Sequence, residues 1–112
     1  MRVIAVTAHV SAYPNPIRFE AGDRLVLGER DDEYPGWIRV ITADGNEGWA
    51  PEQLVERRSP TEGRGVGEYT ARELNTVAGE TLVCRRELNG WLWVENTRGD
   101  SGWVPKETTD AP

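Results

Sequence analysis

Several things are scarce in this chain. It has one cysteine, one histidine, one phenylalanine and one methionine. A lone cysteine excludes an intramolecular disulfide framework. One cysteine with one histidine cannot supply the usual ligand set of a zinc-type site, so no metal is expected. No apolar run approaches the roughly 20 residues that a membrane-spanning helix needs. The apolar opening, Met1-Arg2-Val3-Ile4-Ala5-Val6, breaks off into Thr7-Ala8-His9, too short for a signal peptide, and the chain reads as cytoplasmic. Basic residues are outnumbered, thirteen against nineteen acids, for a net charge of -6. That argues against nucleic acid and anionic membranes, where a basic footprint does most of the binding. It is compatible with a basic partner, or with plain solubility. Helical periodicity is missing throughout, and the glycines sit in turns rather than in a phosphate-binding loop.

What is present is a repeat. The stretch Gly36-Trp37-Ile38-Arg39-Val40, a turn, then Gly48-Trp49-Ala50-Pro51 returns as Gly90-Trp91-Leu92-Trp93-Val94, a turn, then Gly102-Trp103-Val104-Pro105. All five tryptophans fall inside these two copies. Self-similarity at a fixed spacing fixes the architecture as two copies of one unit. Each unit is roughly 55 residues, near the lower limit for a self-supporting core. With 38% hydrophobic and 29% charged residues, the chain is too apolar for disorder.

In the first copy, residues 1–6 are β-branched and apolar and read as a strand. Residues 7–21, with Pro14 and Pro16, read as a long irregular loop, a kind that is usually functional or disordered. Leu25 and Leu27 alternate with Arg24 and Val26 in a second strand. An acidic connector, Asp31-Asp32-Glu33-Tyr34-Pro35, leads to a strand over 37–42. Asp44-Gly45 is a hairpin signal, because a type I′ turn needs positive φ at both central residues. The chain returns over 46–50, and Pro51-Glu52-Gln53 suits one short helical turn before a last strand at 54–56. Short strands between turn signals make a small β-barrel.

With those elements in place, the chain resembles the Src-homology 3 (SH3) family, in the form of tandem bacterial SH3-like, or variant SH3, proteins. Ala5-Val6 stands at the start of the family's opening motif, and Ile17-Arg18-Phe19-Glu20-Ala21-Gly22-Asp23 matches the segment after its long loop. Trp37-Ile38 matches its tryptophan pair. Gly48-Trp49-Ala50-Pro51-Glu52-Gln53-Leu54-Val55 matches its closing motif. The second copy aligns with Val66-Gly67-Glu68-Tyr69 as the opening, then residues 74–79, Leu82 and Cys84, and Pro105-Lys106-Glu107. The fold expected is all-β: two tandem SH3-like barrels of about five strands each. The expected domains are residues 1–56 and 66–112, with 57–65, polar and holding Pro60, Gly63 and Gly65, as the linker.

The resemblance implies a groove in which aromatic side chains hold a proline-rich peptide in its preset polyproline II form. In the second copy it assigns Tyr69, Glu73, Trp91, Trp103 and Pro105 to that groove, with Glu73 as the acid that pairs with a ligand arginine or lysine. Gly67 and Thr108 depart from the family's tyrosines. In the first copy Trp37, Trp49 and Pro51 remain, but Thr7, His9 and Leu54 replace tyrosines and Pro16 stands at the acid's place. Asp31, Asp32 and Glu33 either attract a basic ligand or form a solvated turn. Trp93, opposite the core side of its strand, reads as an interface residue, packed against the other barrel or a second chain, with a widened ligand surface as the lesser alternative. Cys84 reads as a small core side chain.

No catalytic residues are expected. His9, the only histidine, has neither a nucleophile nor an orienting partner beside it in sequence. It reads as a flat polar ring in a tyrosine's place. The expected function is therefore a non-catalytic adaptor without cofactors, binding a protein or peptide that is proline-rich or basic. The alternative is a structural module whose aromatics are buried between the barrels or in a homodimer. A glycan-binding module of the bacterial cell wall is a third reading, disfavoured by the missing export signal. Tryptophan exposure in the free protein separates the first two.

Overall fold

The computed structural model describes residues 1–112. The chain is all-β, twelve strands with two 3-10 turns and no α-helix. The strands are β1 (Arg2–Ala5), β2 (Arg18–Phe19), β3 (Arg24–Arg30), β4 (Trp37–Ile41), β5 (Glu47–Pro51) and β6 (Val55–Arg57). They continue as β7 (Glu62–Gly65), β8 (Tyr69–Thr70), β9 (Thr81–Leu88), β10 (Trp91–Glu95), β11 (Ser101–Pro105) and β12 (Thr109–Asp110). The 3-10 turns cover Glu52–Leu54 and Lys106–Thr108. Each follows a proline, Pro51 or Pro105, whose ring fixes φ near the helical value and whose missing N–H ends the ladder. Alternation builds the strands: Leu25 and Leu27 of β3 point inward between exposed neighbours, and Leu82 and Cys84 of β9 point inward on either side of half-buried Val83.

The chain divides into two compact units, and the division is not the one the repeat suggests. One unit is continuous, residues 15–71; the other joins residues 1–14 to residues 72–112. The continuous unit, here called the inner unit, has a five-stranded sheet in the order β5-β4-β3-β7-β6. Its loop arms pair as the two-stranded β2-β8 ladder. The outer unit repeats the five-stranded order as β11-β10-β9-β1-β12. Every ladder is antiparallel. Sheets of this kind are those of SH3-like β-barrels.

The expected domains, 1–56 and 66–112 with a linker at 57–65, are therefore corrected. β1 leaves its own repeat and lies between β9 and β12 of the second, with Val3 opposite Leu82 and Ala5 opposite Thr109. The supposed linker contains β7, which takes the corresponding place in the inner unit, Gly63 opposite Leu25 and Gly65 opposite Val55. Glu62-Gly63-Arg64-Gly65 offers no apolar side chain, so its composition reads as a connector. It is a strand because its backbone is laddered on both sides and its inward positions are glycines.

Each unit has its own core. Val3, Ala5, Leu74, Leu82, Cys84, Leu92, Val94 and Val104 form a single buried cluster in the outer unit. In the inner unit Ile17, Phe19, Leu25, Leu27, Ile38, Val40, Ala50 and Leu54 are buried. Cys84 is a free, buried thiol, as its place opposite Leu27 in the repeat leads one to expect.

Candidate functional site

The β10–β11 hairpin of the outer unit pairs Trp91 with Pro105, Leu92 with Val104, Trp93 with Trp103 and Val94 with Gly102. Alternation sends Leu92, Val94 and Val104 into the core and leaves Trp91, Trp93, Trp103 and Pro105 on the opposite face. Trp93 stands edge-on to Trp103, with ring centroids 5.3 Å apart and planes at 71°. This geometry is favoured because a ring's positive edge meets its neighbour's negative face. Trp103 is buried, whereas Trp91, Trp93 and Pro105 are half-buried.

The loop arm after residue 72 lies along β11. Trp103 donates its N–H to the Arg72 carbonyl at 2.9 Å, and Leu74 donates to the Trp103 carbonyl at 3.0 Å. Such close approach needs Gly102, where a Cβ would sit 2.7 Å from the Leu74 nitrogen. Glu73 is thereby set beside Trp103. Its partner comes from the other end of the chain: His9 Nε2 donates to Glu73 Oε1 at 2.7 Å. His9 also stands edge-on to Trp91, centroids 5.8 Å apart. The His9 backbone is fixed by a reciprocal pair with Thr76, His9 N–H to the Thr76 carbonyl at 3.1 Å and Thr76 N–H to the His9 carbonyl at 2.9 Å.

The outer unit therefore brings together four of the expected residues, Glu73, Trp91, Trp103 and Pro105, and adds His9. Tyr69, expected with them, belongs to the inner unit. There its ring packs on Phe19 with centroids 5.5 Å apart, and its hydroxyl donates to the Trp49 carbonyl at 3.4 Å. The correction follows from the strand crossing: β7 carries Tyr69 into the inner unit, and β1 carries His9 into the outer one. Sequence reasoning placed His9 in a tyrosine's position, and the pairing of His9 with Thr76 parallels that of Tyr69 with Phe19; it missed that the position lies beside Glu73. Only the strand pairing carries that signal.

In the inner unit Trp37 pairs with Pro51 and Arg39 with Trp49. Trp37, at 8% exposure, and Pro51 are buried, and Trp49 is half-buried. The Arg39 guanidinium lies over the Trp49 ring, 5.4 Å from its centroid, and also meets Glu47 at 3.4 Å. Of the acidic connector, Asp31 accepts the N–H groups of Glu33 and Tyr34 at 2.8 and 2.9 Å. That is the local Asx bonding of a solvated turn. Trp93, expected at an interface, meets Trp103 on the neighbouring strand and stays half-buried.

The half-buried tryptophans of the outer unit, backed by Trp103, can stack on planar or ring-shaped groups. Glu73 Oε1 is taken by His9, so a cation at Glu73 would share the carboxylate with His9 or compete with it. Among known proteins, the variant SH3 domain family matches residues 2–58. No curated protein and no solved structure matches the chain. The match runs one residue past β6, and it holds the tryptophan hairpin and closing motif that the second repeat reproduces: the chain belongs to the variant SH3 domain family.

Proposed function

We propose that both units are SH3-like barrels and that the chain is a non-catalytic protein-binding module. Its working surface in this reading is the outer unit's face of Trp91, Trp93 and Pro105. SH3-type domains are generally protein-binding, which supports the class. The observation that carries the choice of surface is the half-exposure of Trp91 and Trp93 on a strand face turned away from the core. Aromatic rings held rigidly at a surface offer apolar contact at small entropic cost, and proline rings fit against them. The ligand is a proline-rich segment. A basic residue in it would share the Glu73 carboxylate with His9 or compete with it, and the net charge of -6 adds attraction at long range. The reading keeps the chain in the cytoplasm, where a free thiol such as Cys84 stays reduced.

The inner unit supports the structural reading for its own aromatics. Trp37, Tyr69 and Pro51 are buried, so they serve the fold before any ligand. A peptide array of proline-rich sequences, with and without arginine, tests both statements. Trp91→Ala should cut retained binding at least tenfold, in line with loss of an aromatic anchor, while Trp37→Ala should chiefly lower stability. Full binding by Trp91→Ala, or no binding by the wild type together with a dimer in solution, would return the chain to the structural class.

A further inference from the structure

β1 and β7 occupy the same place in their units. Val3 lies opposite Leu82 as Gly63 lies opposite Leu25. The Ala5 carbonyl accepts the Gly79 N–H at 2.7 Å, and the Gly65 carbonyl accepts the Gly22 N–H at 2.8 Å. One rung further, Cys84 donates to Met1 as Leu27 donates to Thr61. Backbone ladders this similar cannot tell one strand from the other. Side chains can.

A Cβ at Gly63 would sit 2.9 Å from the Glu56 carbonyl oxygen and 3.1 Å from both Leu27 methyls. A Cβ at Gly65 would sit 2.6 Å from the Glu20 carbonyl oxygen and 2.8 Å from the Phe19 ring. The obstacles are backbone oxygens and buried core groups, which have nowhere to go in a close-packed interior. β1, bearing Val3 and Ala5 at these two places, does not fit there. The outer slot is complementary. Thr76 faces His9 where Phe19 faces Tyr69, and Cys84 stands where Leu27 does. Both replacements are smaller, and Val3 and Ala5 fill the room, buried against Leu82 and Cys84 in one cluster. β7, with glycines there, would leave that room empty.

We infer that this size complementarity assigns each strand to its unit, Val3 and Ala5 to the slot of Cys84 and Thr76, Gly63 and Gly65 to the slot of Leu27 and Phe19. The crossing it directs is what makes His9, rather than Tyr69, the neighbour of Glu73 and Trp91. His9 is in this sense a specificity-setting residue lent by one repeat to the other, whatever ligand the face takes.

The test uses the full chain and cysteine pairs. Ile4 lies opposite Thr81 in the crossed fold; in an uncrossed one it would lie opposite Arg24, as Arg64 does. Under mild oxidation, Ile4→Cys/Thr81→Cys should close an intramolecular disulfide, and Ile4→Cys/Arg24→Cys should stay reduced, as read by peptide mass mapping. Exchanging the determinants, by Val3→Gly, Ala5→Gly, Gly63→Val and Gly65→Ala together, should slow the first closure at least tenfold. Closure of the Arg24 pair in the otherwise natural chain, or equal closure rates after the exchange, overturns the inference. Should the fourfold variant not fold, Gly65→Ala alone decides: its urea midpoint must fall clearly below that of the wild type, and an unchanged midpoint also overturns the assignment.

Discussion

Gly102 and Gly48 hold equivalent places in the two repeats, and their surroundings differ in a way that can be measured. A Cβ at Gly102 would meet the Leu74 nitrogen at 2.7 Å and the Glu73 carbonyl carbon at 2.9 Å, both backbone atoms. At Gly48 it would meet only Ile17 side-chain carbons, the nearest at 3.2 Å. A side chain can turn aside; a backbone held at 3.0 Å by its own hydrogen bond to β11 cannot. Gly102→Ala should therefore cost about 1–3 kcal/mol, the range for overpacking, and Gly48→Ala less. Urea denaturation of the two variants checks the order, and equal losses would contradict it. At this scale the sequence was informative about identity and poor on company. Trp91, Trp103 and Pro105 share a face because alternation along the hairpin fixes which side of the strand they take, whereas Glu73 reaches them through the loop arm's hydrogen bonds to Trp103. His9 was unreadable as a partner of Glu73, because sixty-odd intervening residues hide the bond between them.

Among the elements, the tryptophan hairpins were the most legible, since alternation and turn chemistry act locally. The turn falls where Asp44-Gly45 signals it, but it is not the type I′ turn expected: Gly45 donates its N–H to the Thr42 carbonyl at 2.9 Å, so Ala43 and Asp44 are the central residues, and of Asp44 and Gly45 only the glycine has a positive φ, 85°. Thr42 donates its hydroxyl to Asp44, and Asn46 donates its N–H to the same carboxylate at 3.1 Å. The Thr42 hydroxyl first, and the Asn46 N–H after it, hold the Asp44 carboxyl below its usual value. A carboxyl depressed in the folded state adds stability above the unfolded value of about 3.9 and loses it as pH falls through the folded value. Asp44→Asn should accordingly be less stable than the wild type at neutral pH. The gap should narrow from about pH 5 downward and close in stronger acid. Thermal melts of both proteins across that range measure it; a gap independent of pH would remove the charge from the account. β7 was the least legible element. Gly63 and Gly65 look like linker residues by composition, and their role as the inward positions of a strand becomes visible only against Leu27 and Phe19 across the ladder.

For the whole molecule the consequential fact is connectivity. The inner unit is one continuous segment, residues 15–71, and the outer unit is two segments joined through it. Repeats in sequence led to two independent domains in series, because a periodic pattern says which elements recur and nothing of which copies pair. The interrupted arrangement makes stability directional. While the inner unit is folded, it acts as a compact connector between the outer unit's halves. Once it unfolds, those halves are tied by a flexible loop of about 60 residues, whose closure costs on the order of 3–4 kcal/mol. That is comparable with the whole stability of so small a core. Leu25 and Leu82 are fully buried counterparts in β3 and β9, so truncating either should cost about 2–5 kcal/mol in its own unit. Their effects elsewhere should differ. Leu25→Ala should lower the amide protection of β9 and β10 along with that of the inner strands, because the outer unit loses its connector. Leu82→Ala should release the outer strands and leave the protection of β3 and β4 close to that of the wild type. Native-state hydrogen exchange resolves this strand by strand, and symmetric losses in the two variants would mean that chain connectivity is not what couples the units.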